Sequence, residues 1–111
     1  MSGLEIEIAR DRGRIHVALS GELDIASAER LEEALAEVEG AGGATILLDL
    51  RGVEFIDSTG IRAVIAANER AEANGRRLAV VRGTKAVERV FRLTQLDERL
   101  DLVDDPDSID A

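Results

Sequence analysis

The stretch TILLDLRGVEFIDSTGIRAV, Thr45 to Val64, contains a strand, a polar turn and the start of a helix, in that order. Thr45 to Leu50 is a short, almost unbroken apolar run, the pattern of a strand covered on both faces. Arg51-Gly52-Val53 reads as a brief irregular connection leading to Phe55 and Ile56, the end of a buried strand. Asp57, Ser58, Thr59 and Gly60 come next, with no bulky apolar residue among them. Ile61 and Val64 then open a helical spacing that continues through Ile65, Asn68 and Ala71, with Gly75 as its stop. A strand that feeds a helix through a polar turn is the repeating unit of an α/β fold.

The flanking sequence repeats that unit. Leu4, Ile6 and Ile8 alternate with Glu5 and Glu7, and Ile15, Val17 and Leu19 alternate again after the turn Arg10-Asp11-Arg12-Gly13. These two runs predict a hairpin whose second strand ends at Gly21. Asp24 and Ser27 are candidate caps for a helix carrying Ala28, Leu31, Leu35 and Val38, ended by Gly40, Gly42 and Gly43. Leu78 to Val81 is a further short buried strand. Thr84 starts a third helix with Val87, Val90, Phe91 and Thr94 inward, and Leu100, Leu102 and Val103 form a final edge strand. The order β-β-α-β-α-β-α-β predicts a mainly parallel sheet with an antiparallel N-terminal hairpin. The pattern alone leaves open whether the helices cover one face or two. The expected organisation is one domain over 1–103 and an acidic tail over 104–111, with the chain leaving the fold at Pro106.

Composition narrows the function. The chain has 111 residues, a net charge of −9, no cysteine, no Trp or Tyr, and only Phe55 and Phe91 as aromatics. Base stacking and phosphate-backbone binding are both disfavoured, so nucleic acid is not an expected partner. Disulfides, thiolate metal sites and cysteine nucleophiles are excluded. No apolar run approaches the ~20 residues of a membrane helix, and the acidic N-terminus does not resemble a secretion signal. A cytoplasmic protein is expected. From Asp97 onward, seven acids (Asp97, Glu98, Asp101, Asp104, Asp105, Asp107, Asp110) stand against Arg99 alone. Just before them, Arg82 and Arg92 bracket a basic helix that reads as a solvated face or a docking surface for an acidic partner.

Ser58 has two readings. A serine at a helix start caps it by accepting a backbone N–H, an interaction whose loss costs about 0.5–2 kcal/mol. The same position exposes the hydroxyl to a kinase and offers a phosphate the positive helix end. Catalysis by the chain itself finds little support. Asp57-Ser58-Thr59-Gly60 departs from the Asp-Thr/Ser-Gly of aspartic proteases by an intervening residue, and from the Gly-x-Ser-x-Gly elbow by Ile56. The single histidine, His16, sits mid-strand as an exposed or half-covered residue rather than a base. No catalytic residue, metal site or cofactor is assigned, and a binding module is favoured over a small hydrolase.

Three segments together carry a resemblance: Leu19-Ser20-Gly21-Glu22-Leu23-Asp24, then Leu48 to Ile61 with Phe55-Ile56-Asp57-Ser58-Thr59-Gly60-Ile61 at its end, then Val87-x-Arg89-Val90-Phe91-x-Leu93-Thr94-x-Leu96. At these separations the chain resembles the STAS-domain family, specifically bacterial anti-sigma factor antagonists, from about Leu4 to Val103. The resemblance implies a mixed sheet with helices packed mostly on one side. It implies phosphorylation at Ser58, with Asp24, Asp57, Ser58, Thr59, Gly60 and Ile61 as the partner-binding surface. The implied partners are an anti-sigma factor that is also a serine kinase with an ATP-binding, histidine-kinase-like fold, and a PP2C-type phosphatase. Unphosphorylated protein would hold the kinase and so release a sigma factor. A monomer or weak dimer is expected. The alternative within the family is a stand-alone subunit of a lipid-transport ATPase or a signalling scaffold. Gln95 stands where the family often has glycine, which suggests a different termination of the third helix.

Overall fold

A computed structural model describes residues 3–40 and 44–108. The hairpin forms as the alternation predicts. Strand β1 (Leu4–Asp11) runs antiparallel to β2 (Arg14–Leu23), with Ile6 opposite Leu19 and Ile8 opposite Val17. β2 does not end at Gly21. It continues to Leu23, and Gly21 pairs with Leu4 on one side and Val53 on the other. Helix α1 (Ala28–Glu39), strand β3 (Thr45–Ile56), helix α2 (Ser58–Ala73), strand β4 (Leu78–Val81), helix α3 (Lys85–Leu93) and strand β5 (Leu102–Val103) complete the order. Gly42 and Gly43, expected at the end of α1, lie outside the described residues.

The sheet order is β1-β2-β3-β4-β5, parallel throughout from β2 onward. The inward residues of all three helices join one cluster with Val17, Leu19, Ile46, Leu48, Leu50, Leu78 and Val80. The helices therefore cover one face, as the family resemblance implies. On the other face Leu47 and Ala79 form a small separate cluster with Val103.

Arg51-Gly52-Val53 is not an irregular connection. β3 is a single strand of 12 residues. What the sequence suggested as a break is a pair of register shifts against β2. Asp49 pairs with Ala18 but Gly52 with Ser20, and Val53 pairs with Gly21 but Phe55 with Glu22. Each shift inserts an extra residue into β3, and a bulge of this kind reverses the facing of the residues beyond it. After the second, with Glu54 as the extra residue, Phe55 points outward and is 51% exposed, while Ile56 stays inside. Phe55 is thus not a core residue.

Two helix ends also differ from expectation. Thr94 is exposed rather than inward, and its hydroxyl donates back to the Val90 carbonyl at 2.7 Å. Gln95 does not change the termination of α3. It adopts the left-handed conformation itself, with φ 61°. Gly75 takes the same role after α2, with φ 65°, at no side-chain cost. Finally, the chain does not leave the fold at Pro106. The Arg14 guanidinium donates to the Pro106 carbonyl at 2.8 Å, and Arg82 pairs with Asp104 at 2.8 Å.

Candidate functional site

The β2–α1 and β3–α2 connections meet at one end of the sheet, because β2 and β3 are adjacent and parallel. Their junction is built around the Leu23 carbonyl. It accepts the Asp57 N–H at 3.2 Å, and the Gly60 Cα lies against it. A Cβ at residue 60 would sit 2.4 Å from that oxygen. Gly60 is buried, so the glycine serves the close crossing of the chain's own two loops.

Asp57 is the N-cap of α2, in place of Ser58. Its Oδ1 accepts the Gly60 N–H at 2.9 Å, and its Oδ2 accepts the Ile25 N–H of the other loop at 3.1 Å. One carboxylate thereby caps the helix and ties the two connections together. These bonds have an electrostatic consequence. The Gly60 N–H first, and also the Ile25 and Thr59 N–H groups and the charge of Arg62, hold the Asp57 carboxyl below its ordinary 3.8 against a smaller opposing effect of desolvation. Ser58 is the first residue of α2, exposed, and its hydroxyl makes no hydrogen bond among the described residues.

Asp24 and Ser27 do not cap α1 by side-chain bonds to its first turn. They close the preceding loop on itself. Asp24 Oδ1 accepts from the N–H groups of Ala26 at 3.0 Å and Ser27 at 3.2 Å. Ser27 Oγ accepts from the Asp24 N–H at 3.0 Å and donates to the Glu22 carbonyl at 2.7 Å. Asp24 is half-buried, Ser27 buried, and between them Ile25 stands 77% exposed.

The structure therefore brings Asp24, Asp57, Ser58, Thr59 and Gly60 to one end of the sheet, though not in equivalent roles. Ser58 faces solvent, Asp24, Asp57 and Thr59 are half-buried, and Gly60 is interior. Ile61 is also half-buried and packs on the core. Sequence reasoning missed two surface residues. Ile25, on the β2–α1 loop, and Phe55, at the end of β3, are exposed apolar side chains on the two segments that Asp57 joins. An isolated isoleucine within the polar turn Asp24–Ser27 was the available signal for the first; Phe55 was hidden by the bulge.

The helix end is less free for an anion than the sequence suggested, since Asp57 already uses the Gly60 N–H. His16 is remote. It lies on the helix-free face, where its Nε2 meets Asp49 Oδ2 at 2.7 Å. Seven residue steps along extended β2 separate it from Leu23, about 23 Å of strand. It has no access to Ser58 as a base. No helix among the described residues is long and apolar enough to cross a membrane.

Known proteins share both the sequence pattern and this architecture. The family model described as "Mlab, STAS domain" matches residues 6–104. The anti-sigma-F factor antagonist RsfB of Mycobacterium tuberculosis is 30% identical over 95 residues, covering 86% of this chain and 77% of that protein. The crystal structure of an anti-sigma factor antagonist from Mycobacterium paratuberculosis superposes with a TM-score of 0.86 at 29% identity, over 96% of this chain and 90% of that one. SpoIIAA, an anti-sigma factor antagonist, shares the fold in its unphosphorylated form, with a TM-score of 0.78 at 22% identity over 96% of this chain and 94% of that one. It also does so in its phosphorylated form from Bacillus, at 0.71 and 20% over 94% and 96%.

Proposed function

The chain belongs to the STAS-domain family, and on that premise we propose that it is a cytoplasmic anti-sigma factor antagonist switched by phosphorylation at Ser58. Unphosphorylated, it binds an anti-sigma factor that is also an ATP-dependent serine kinase, and this frees a sigma factor. Phosphorylation of Ser58 by the bound kinase ends the complex, and a PP2C-type phosphatase restores it. The named relatives favour this reading over a subunit of a transport ATPase.

The observation that carries it is the position of Ser58. Its hydroxyl is exposed and bonds no described residue at the loop junction, while Asp57 does the capping. A kinase can take this oxygen without removing any contact that holds the fold. Ile25, whose N–H bonds Asp57, and Phe55, at the end of β3, are exposed apolar side chains at the same end of the sheet and supply the apolar contact that a protein interface needs. Asp24, Asp57 and Gly60 set the shape of the junction, and Thr59 and Ile61 complete its edge.

The switch rests on charge. A phosphate adds about −1.5 to −2 at pH 7. A helix N-terminus stabilises an exposed anion by only about 0.3–1 kcal/mol, and Asp57 already occupies it. The phosphate would stand beside the Asp57 carboxylate, with Glu22, Asp24 and Glu54 on the adjoining segments. Like-charge repulsion and lost apolar contact at the interface then outweigh the local gain.

The test is phosphorylation by the cognate kinase with ATP, located by mass spectrometry. Wild type gains one phosphate at residue 58, Ser58→Ala gains none yet still binds, and Ser58→Asp binds more weakly. Equal labelling of Ser58→Ala overturns the assignment and moves it to Thr59.

A further inference from the structure

The helix-free face of the sheet carries features that the Ser58 switch does not use. Leu47 and Ala79 are 1% and 0% exposed although the helices all lie on the opposite side. Beside this small apolar floor lie two arginines and the histidine. Arg14 and His16 come from β2 and Arg51 from β3. The buried Asp49 carboxylate anchors two of them, with Arg51 Nη2 at 2.8 Å and His16 Nε2 at 2.7 Å from Oδ2. Burial pushes the Asp49 carboxyl up, but the hydrogen bonds from Arg51 and His16 outweigh it and hold the group below 3.8. Asp49 is thus a fixed anion that holds the Arg51 guanidinium and the His16 ring in place on this face.

An acidic segment of the same chain lies over them. After β5 the chain turns at Asp104, which pairs with Arg82, and a short 3-10 turn spans Pro106–Ser108. The Pro106 carbonyl accepts from Arg14, whose side chain is only 17% exposed. Pro106 and Asp107 line the same shallow cleft as Ala9, Arg14, His16 and Leu47. Arg51 is held charged first by Asp49 and, through space, by Asp105 and Asp107. Asp105, Asp107 and Ser108 remain exposed. The contact of 104–108 with the rest of the chain therefore includes the Arg14–Pro106 hydrogen bond, the Arg82–Asp104 ion pair, proline packing and charge attraction between exposed groups.

We propose that the helix-free face is a second docking surface, for an acidic peptide segment of a protein partner, and that residues 104–108 are its resident intramolecular occupant. The recognition elements are an apolar contact over Leu47, a carbonyl presented to Arg14, and carboxylates spaced two residues apart drawn by the Arg51 charge, with the His16 ring lining the same cleft. A partner segment with these features displaces the chain's own. The surface lies on the opposite side of the sheet from the helices, and its use is independent of Ser58 and of the kinase reading.

The probe is a synthetic peptide of residues 104–111, added to 15N-labelled full-length protein. In wild type the face is occupied, and the peptide produces little change. In full-length Asp105→Asn/Asp107→Asn the resident segment is weakened, and the peptide shifts the amides around Arg14, His16, Leu47 and Arg51. Raising the salt from about 0.05 to about 0.5 M weakens that binding several-fold, because the charges are exposed. A peptide with asparagine at every aspartate fails to bind, and so does the acidic peptide once Arg14→Glu is added. Three results overturn the proposal. In one, residues 104–108 keep wild-type amide shifts in the double variant, so charge does not hold them. In another, they detach but the peptide leaves the face unchanged. In the third, the shifts map instead to the exposed cations Lys85, Arg89 and Arg92 of α3.

Discussion

Replacing Gly60 with alanine sets two physical effects against each other at one position. Gly60 lies in the first turn of α2, where alanine is the better helix former by up to about 1 kcal/mol. Propensity alone predicts a more stable protein. The packing predicts the reverse. The added Cβ would stand 2.4 Å from the Leu23 carbonyl oxygen, where ordinary contact begins at 3.4 Å, and 2.9 Å from both Ile56 Cγ1 and Leu23 Cγ. Relief needs about 1 Å of movement by a backbone oxygen that also accepts the Asp57 N–H. Overpacking of this kind costs about 1–3 kcal/mol, and losing the hydrogen bond about 0.5–1.5 kcal/mol more. After subtracting the propensity gain, the net destabilisation is about 1–3 kcal/mol. For a chain of 111 residues that lowers Tm by about 4–12 °C. Urea unfolding followed by circular dichroism reads it as a lower midpoint at unchanged slope. The displacement also moves Asp57 relative to Ile25, so kinase binding weakens in step. An unchanged or raised midpoint would refute the claim that the crossing of the two loops, rather than a partner, dictates glycine here.

Ser58→Ala leaves the unfolding midpoint within about 0.5 kcal/mol of wild type, because its hydroxyl bonds nothing; a loss near 1 kcal/mol would restore it as the cap. Phe55→Ser and Ile25→Ser are likewise near neutral for stability but weaken kinase binding by about tenfold each, the scale of residues near an interface centre, measured by calorimetric titration. Gln95→Gly raises stability by about 0.5–1 kcal/mol in urea unfolding. It removes the left-handed penalty of roughly 1–2 kcal/mol but adds freedom to the unfolded chain. Asp49→Asn lowers Tm at pH 7, and the gap narrows in acid. Its carboxyl is depressed in the fold, so the stability it contributes is present above 3.8 and is lost as pH falls through the lower folded value.

Much of this architecture is legible because it rests on period. Leu4, Ile6 and Ile8 against Ile15, Val17 and Leu19 specify a hairpin, and the helical spacing from Ile61 to Ala71 specifies α2. The misreadings fall where one residue disturbs the period or where two residue types compete for one role. Glu54 enters β3 as a bulge, a property of the β2–β3 pairing that the β3 sequence does not carry alone. It turns Phe55 from apparent core into exposed surface. At Asp57-Ser58 both side chains are good caps, and the choice falls to Asp57 because a carboxylate has a second oxygen for Ile25. Gln95 shows the limit of residue preference. The fold needs a left-handed residue after α3 to bring Leu96 into the core, and packing overrides the cost of a side chain there.

The capping role of Asp57 bears on how a phosphate on Ser58 would act. If Ser58 were the cap, its modification would trade one bond for another at the helix end, and loosening of α2 would be a route for the signal. With Asp57 as cap, the first turn keeps its carboxylate whether or not the neighbouring oxygen is phosphorylated. The same carboxylate holds the Ile25 loop, so both halves of the proposed interface keep their positions. The phosphate then changes only charge and bulk on a preformed surface. Amide shift changes on phosphorylation are therefore expected near Ser58 and the Asp24–Ser27 loop and absent from β4 and β5; shifts spreading to Val80 or Val103 would require a mechanical switch instead.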